Sequence, residues 1–156
     1  MGEDFEQRWA KKEAELGLYS EMVVIDGVVL PKEAAPCLSF EARENRKVYE
    51  VFGIPEQWSK SERARLDEFF IIGIDGCGNP ICVREGDGVI VMLDHEDKFQ
   101  TEQFVNTGIN HLAECLLAYL GETSESQFKM RVRKIDRDAM NNGSFWQLEA
   151  TAIEYT

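Results

Sequence analysis

The chain has 156 residues, 44% of them apolar and 29% charged, which is the composition of a globular domain and not of a disordered tract. Its longest apolar runs, FFIIGI and VIVML, fall far short of the roughly 18 residues a membrane span requires, so no transmembrane segment is expected. Seventeen basic residues against 29 acidic ones give a formal net charge of -12, which makes phosphate backbones a poor partner.

The surplus of acid is concentrated. Residues 67–126 carry twelve acidic side chains against two basic ones, Arg84 and Lys98, a net of -10. Residues 37–66 and 127–156 each come to +1, and residues 1–36 to -4. Solubility alone accounts for a negative surface. A surface that steers a basic partner into place accounts for its uneven distribution as well.

From the N-terminus, MGEDFEQRWAKK has neither a basic lead nor an apolar stretch, so no secretory signal is expected. Glu6 stands where a myristoylation signal would carry Ser or Thr. The expected location is cytoplasmic, with Cys37, Cys77, Cys82 and Cys115 as reduced thiols. One domain over residues 1–156 is expected.

Asp4, with Gln7 three residues on, spells a capping box for a first helix. Phe5, Trp9 and Leu16 fall near one face of it, and Gly17 ends it. MVVIDGVVLP predicts a short hairpin around Asp26-Gly27, closed by Pro31. A second helix is expected from about Glu41 to Phe52, with Ser39 near its cap and Val48, Tyr49 and Phe52 inward; Gly53-Ile54-Pro55 would stop it.

FFIIGIDGCGNPICVREGDGVIVMLDHEDK then holds three β-rich runs, residues 69–74, 81–84 and 89–93, separated by the turn clusters DGCGNP and EGDG. Loops this short join antiparallel neighbours, which predicts a three-strand meander. The first and third runs are apolar on both faces, as in central strands covered on both sides. Gln103 to Asn106 suggests a further short strand.

TGINHLAECLLAYLG predicts a helix capped by Thr107, with Ile109, Leu112, Leu116 and Leu120 as its buried stripe and Gly121 as its end. QFKMRVRK alternates as a strand would, yet Phe128, Val132 and Ile135 fit helical spacing. Both readings stay open for residues 124–135, and the capping residue Ser124 favours a helix. Asn142-Gly143 marks a turn, after which Ser144 would cap a last helix with Phe145, Leu148, Ala152 and Tyr155 on one face. Helices flanking a central antiparallel sheet make the class α+β.

No pattern spells an active site. IGIDGCGNP is rich in glycine, but it lacks a Walker lysine and is followed by Pro80 and a strand, so no helix N-terminus faces an anion there. Asp75, Gly76, Gly78 and Asn79 are instead what a tight hairpin needs. Asp94-His95-Glu96-Asp97 groups four ionisable side chains, but His111 is the only other histidine and the spacing is not that of an EF-hand. Cys77 and Cys82 are five apart, unlike the CxxC of zinc or redox sites. No catalytic, cofactor-binding or metal-binding residues are therefore expected. Trp58 is a candidate contact residue, since it follows a helix stop and could be partly exposed.

The run from Phe69 to Asp97 resembles the central hairpin of the SUKH superfamily of bacterial immunity proteins, which are related to eukaryotic cell-wall assembly regulators. Gly73, Asp75, Gly76, Gly78, Asn79 and Pro80 match the first half of that family's pattern, and Leu93, Asp94 and His95 match the second. The FGIP stop at residues 52–55, the helix FVNTGINHLAECLLAYLG and the SFW of residues 144–146 follow in the family's order, so the resemblance covers most of residues 40–156. It implies an α+β fold without catalytic activity, acting as a cytoplasmic antidote that binds a protein toxin used in bacterial competition, frequently a nuclease. In this family the glycines and the Asp-His turn would secure the fold.

Three functions then compete. The first is toxin neutralisation through an acidic face around Asp75, Glu85, Asp87, Asp94, His95, Glu96, Asp97 and Trp58, by a monomer or weak homodimer with a cognate toxin as partner and neither nucleic acid nor membrane. The second is a non-catalytic regulatory scaffold of the cell-wall regulator type. The third is a thiol- or metal-dependent hydrolase using Cys77 or His95.

Overall fold

The structure, a computed structural model, describes residues 4–41, 46–52, 58–122 and 124–153. Helix α1 (Phe5–Leu16) begins as its capping residues dictate. The Asp4 carboxylate accepts from the Gln7 N–H at 2.8 Å, and the Gln7 side chain accepts from the Asp4 N–H at 3.1 Å. Gly17 ends the helix in the left-handed conformation, φ 71°. Trp9 is buried, whereas Leu16, expected on the packed face, is 42% exposed because no element covers the last turn of α1 on that side.

Strands β1 (Met22–Ile25) and β2 (Val28–Pro31) form the expected hairpin. Asp26 and Gly27 both take positive φ, as a two-residue hairpin turn with the right twist requires. Pro31 closes it as its last paired residue, opposite Met22.

A second sheet has six strands: β3 (Glu33–Ala34), β4 (Leu38–Phe40), β5 (Phe69–Ile74), β6 (Pro80–Arg84), β7 (Ile90–Leu93) and β8 (Glu102–Asn106). They lie side by side in chain order, each antiparallel to the next. The predicted meander is its centre, and the predicted strand near residue 103 is its edge.

The expected helix from Glu41 with a Ser39 cap is not found. Ser39 lies in β4 opposite Ile74, and the Glu41 N–H donates to the Ile72 carbonyl at 3.1 Å. Buried Leu38 and Phe40 flank half-buried Ser39 with the two-residue period of a strand, which becomes stable only once β5 lies beside it. Helix α2 is confined to Val48–Phe52, with Val48 buried as expected. The Gly53-Ile54-Pro55 stop, the Tyr49 side chain and Tyr155 fall outside the described residues. Helix α3 (Lys60–Leu66), which the sequence reading left out, opens with a full capping box between Ser59 and Glu62.

Alternation along the central strands serves two cores. Ile72, Ile81, Ile90, Met92 and Val105 face the larger one, beneath α1, the hairpin, α4 (Ile109–Tyr119), α5 (Glu125–Ile135) and α6 (Phe145–Ala152). Phe69, Ile71, Cys82, Val91 and Leu93 face the smaller one, with Val48, Leu66 and Phe99. Both cores draw on β5 and β7, which is why those runs are apolar on both sides.

Residues 125–135 are helical, and the Ser124 hydroxyl accepts from the Gln127 N–H at 3.3 Å. Three smaller expectations need correction. Gly108, not Thr107, occupies the N-cap of α4, because the Thr107 hydroxyl donates to Asp136 at 2.7 Å. Ser144 stands at the N-cap of α6, but its hydroxyl donates backwards to the carbonyls of Ala139 (2.6 Å) and Asn141 (2.7 Å). Helix α6 buries Phe145, Trp146 and Ala150, while Leu148 is exposed. The helix is rotated from its predicted face because Trp146 must reach a buried partner.

That partner is Asn106, the last residue of β8 and fully buried. Its side-chain oxygen accepts from Trp146 Nε1 at 2.9 Å, and its Nδ2 donates to the Asp136 carboxylate at 3.0 Å. Asp136, also buried, takes two more donors from Thr107, its N–H and its hydroxyl, each at 2.7 Å. The carboxylate is thus dissolved in hydrogen bonds, as a buried charge must be.

Replacing Asn106 by Ala orphans the Trp146 N–H and strips one donor from Asp136. The expected loss is roughly 2–3 kcal/mol of stability in urea unfolding. A Cβ placed on Gly73 would collide with the Ser39 carbonyl oxygen and lie 2.9 Å from the Phe40 ring, so Gly73→Ala is expected to cost roughly 1–3 kcal/mol in the same assay.

Candidate partner-binding face

In a meander, alternate connections emerge at the same end of the sheet. The turn at residues 35–37, the turn at 75–79 and the loop at 94–101 therefore share one end, and the turn at 85–88 lies at the other. The expected contact residues divide accordingly. Asp75, Asp94, His95, Glu96 and Asp97 come together at the first end, and Glu85 and Asp87 are separated from them by the length of the strands.

Most of these acids are occupied in shaping their own loops. One Asp75 oxygen accepts from the N–H groups of Cys77 (2.9 Å) and Asn79 (2.8 Å), which closes the β5–β6 turn. Asn79 carries the link onward. Its Oδ1 accepts from the His95 backbone N–H at 3.0 Å and lies 2.6 Å from His95 Nδ1. Because Asn79 Oδ1 can only accept, His95 Nδ1 bears the hydrogen. Asp75, Asn79 and His95 thus lock two neighbouring loops together, which explains why Asp-Gly-x-Gly-Asn and Asp-His occur on the two hairpin connections.

The 94–101 loop is held just as firmly. Asp94 caps a 3₁₀ turn over residues 95–97 and accepts from the Glu96 N–H at 2.8 Å. Asp97 takes the Thr101 hydroxyl and the N–H groups of Gln100 (2.9 Å) and Thr101. Lys98 and Phe99 then pass through positive φ, 62° and 60°, which swings Phe99 down into the smaller core. There its ring meets Phe52 edge-on at 5.2 Å and Trp58 at 6.2 Å. Trp58 is half-buried, with the Lys98 ammonium 5.9 Å from its ring.

At the far end Asp87 is bound by Arg84 through Nε (3.2 Å) and Nη2 (2.7 Å). Arg84 also reaches Glu102 at 3.2 Å, where Arg65 joins at 2.9 Å. Glu85 and Glu96 differ from the rest: both are exposed, and neither side chain has a hydrogen bond or ion pair among the described residues.

A cleft of about 730 Å³ opens beside the first end, between β8 and the segment joining α5 to α6. Asp94, Glu102 and Asp138 line it together with Asn79, Asn141 and Asn142, and no lysine or arginine does. Gln103 Nε2 tethers its two walls by donating to the Gly143 carbonyl at 3.3 Å. The sequence reading missed Asp138 and Asn141. Asn142-Gly143 announced a turn there, but nothing in the pattern says which loop the turn will face.

Hydrogen bonds set the local acidities. The Arg84 side chain, then the Val89 N–H, hold the Asp87 carboxyl below its ordinary range, and the Thr101 hydroxyl does the same for Asp97. Burial pushes the Glu149 carboxyl up, with Asp75 nearby adding to it. Burial raises both interior thiols, Cys82 and Cys115, the latter to about 12, so neither is a nucleophile. Cys37 and Cys77 are exposed. Among the described residues no three His, Cys, Asp or Glu side chains are grouped so as to hold a metal ion, and no helix is long and apolar enough to cross a membrane.

Carboxyls held below their unfolded values stabilise the fold above about pH 4, the unfolded range, and lose that contribution as pH falls through their folded values. The melting temperature is therefore expected to drop between pH 5 and 3, and Asp97→Asn to flatten that drop; both are read by thermal unfolding across the range.

No curated protein and no solved structure shows significant similarity to the chain. A family model does: that of the SUKH-4 immunity protein, over residues 23–150. This match reaches further toward the N-terminus than the motifs at residues 40–156 and takes in the β1–β2 hairpin. It begins inside β1 and ends inside α6, and so contains the whole six-stranded sheet, the Asp75–Asn79–His95 lock and both walls of the acidic cleft. The chain belongs to the SUKH-4 immunity protein family.

Proposed function

We propose that this protein is a non-catalytic cytoplasmic antidote that binds a basic toxin, of the nuclease type, and blocks it through the end of the sheet bearing Asp94, Glu96 and Asp138. The observation that carries this reading is the cleft beside that end, where Asp94 and Asp138 line the wall without a basic side chain among the described lining residues, Glu102 being held by Arg84 and Arg65. A nuclease must grip phosphates and so presents lysines and arginines. Such a surface complements this rim, and long-range attraction speeds encounter more than it deepens affinity. Speed suits an antidote, since free toxin acts until it is captured.

The locked loops support the reading in a second way. A rim held by Asn79, Thr101 and the buried Phe99 ring offers its carboxylates without an ordering cost at binding. Asp75 and Asp97 serve mainly to hold that shape, and Glu96 is the acid at this end left over for a partner.

Co-expression with the toxin domain encoded next to this gene tests the proposal. Rescue of growth and co-purification are expected, with an association rate that falls severalfold as salt rises. Glu96→Gln combined with Asp138→Asn should slow association while leaving dissociation nearly unchanged. Absence of binding would refute the antidote role, and a salt-independent rate would refute steering by charge.

A further inference from the structure

The stretch after α1 leaves a patch of apolar side chains in water. Leu16, Leu18 and Tyr19 are 42%, 53% and 88% exposed. Tyrosine and leucine so displayed do nothing for the fold, and exposed groups of this kind mark contact surfaces. Two adjoining clefts, each of about 440 Å³, share Trp9, Glu13, Leu18, Tyr19 and Ser20 as walls.

Two polar groups within them lack their natural complements. Glu13 is only 5% exposed, yet its carboxylate receives just the Ser20 N–H at 3.1 Å and the Ser20 hydroxyl at 2.6 Å, with no cation beside it among the described residues. Trp9 is 2% exposed, and its indole N–H has no acceptor. A buried carboxylate without a cation carries a penalty that a cationic partner can relieve. The surroundings select its charge: Glu6, Glu21 and Glu33 line the same group of clefts, and the one base there, Lys32, lies 3.7 Å from Glu21.

We infer that this face, built by the end of α1 and residues 18–20, is a second docking surface for the toxin and takes a segment that presents an arginine beside apolar residues. The inference rests on the antidote reading above. The guanidinium donates to the free lone pairs of Glu13 beside the Trp9 ring, and Leu18 and Tyr19 close over the aliphatic stem. A second copy of this chain is a poorer occupant, because it would bring a net charge of -12 to an acidic rim. An antidote that must tell its own toxin from others needs such a surface.

Two measurements on the full chain test it. In the first, the Trp9 indole N–H resonance is followed by NMR while N-acetyl-arginine amide is added, with the uncharged citrulline analogue as control. The resonance is expected to move with arginine, to stay with citrulline, and to lose its response in Glu13→Gln. No movement up to about 50 mM, near the weak limit of single-residue affinity, or equal movement with both compounds, overturns the inference. In the second, Tyr19→Ala and Leu18→Ser are expected to weaken binding of the adjacent-gene toxin domain at least tenfold through faster dissociation. Both side chains are more than half exposed, so the variants fold. Unchanged affinity overturns this inference and leaves the acidic-cleft reading intact. If the wild-type chain fails to bind that toxin, the antidote reading falls and the arginine titration still decides the chemistry of this site. A concentration-dependent dimer abolished by Tyr19→Ala would assign the patch to a second copy and overturn the inference.

Discussion

A carboxylate with no cation beside it among the described residues, Asp136, sits where the sheet meets its helices, and much of the fold is arranged to satisfy it. It receives the Asn106 amide and both donors of Thr107, and Asn106 in turn receives Trp146 Nε1. These four residues come from the end of β8, the approach to α4, the end of α5 and the start of α6. One set of hydrogen bonds therefore fixes the angle at which three helices cover the large core, and around it Tyr119, Phe128, Phe145 and Trp146 pack edge to face. Hydrogen bonds in this dry setting are strong when all are made and costly when one is missing. The arrangement is accordingly all or nothing.

The same logic governs the acidic end of the sheet on a smaller scale. A surplus of carboxylates invites the view that all of them await a partner, yet their hydrogen bonds divide them. Asp75 and Asp97 are consumed by backbone N–H groups of their own turns, and Asp87 by Arg84. Glu96 and Glu85 remain unengaged among the described residues. Charge that shapes a loop still contributes to the field that steers an approaching molecule, so the two roles are compatible. They differ in what a mutation would do: loss of Asp97 changes the loop, whereas loss of Glu96 changes only the rim.

The membership of the family accords with this division. The residues that carried the resemblance, Gly73, Asp75, Gly78, Asn79, Asp94 and His95, all have structural duties visible in the coordinates. Gly73 admits the β4 backbone, and Gly78 takes the positive φ of 91° that its turn requires. Glu96 and Tyr19, which lie outside that signature, have exposed side chains without such duties among the described residues. A family signature made of fold-securing residues tells which scaffold is present, and the surfaces between them decide what it binds.

The sequence by itself determined those features whose cause is local. The α1 capping box, the Asp26-Gly27 hairpin, the central meander and α4 were all readable, because each rests on contacts within a few residues or on strict periodicity. The acidic concentration in residues 67–126 was readable too. Tertiary structure alone decided the rest. Strand β4 exists because β5 lies beside it, Thr107 gave up its capping role because Asp136 arrived from 29 residues away, and α6 turned its face because Trp146 had Asn106 to reach. The acidic cleft and the Trp9–Glu13 clefts join segments distant along the chain, and no local pattern encodes which loops will meet. Hydrogen-bonding groups take the partner that burial makes most valuable, and burial is known only once the chain has folded.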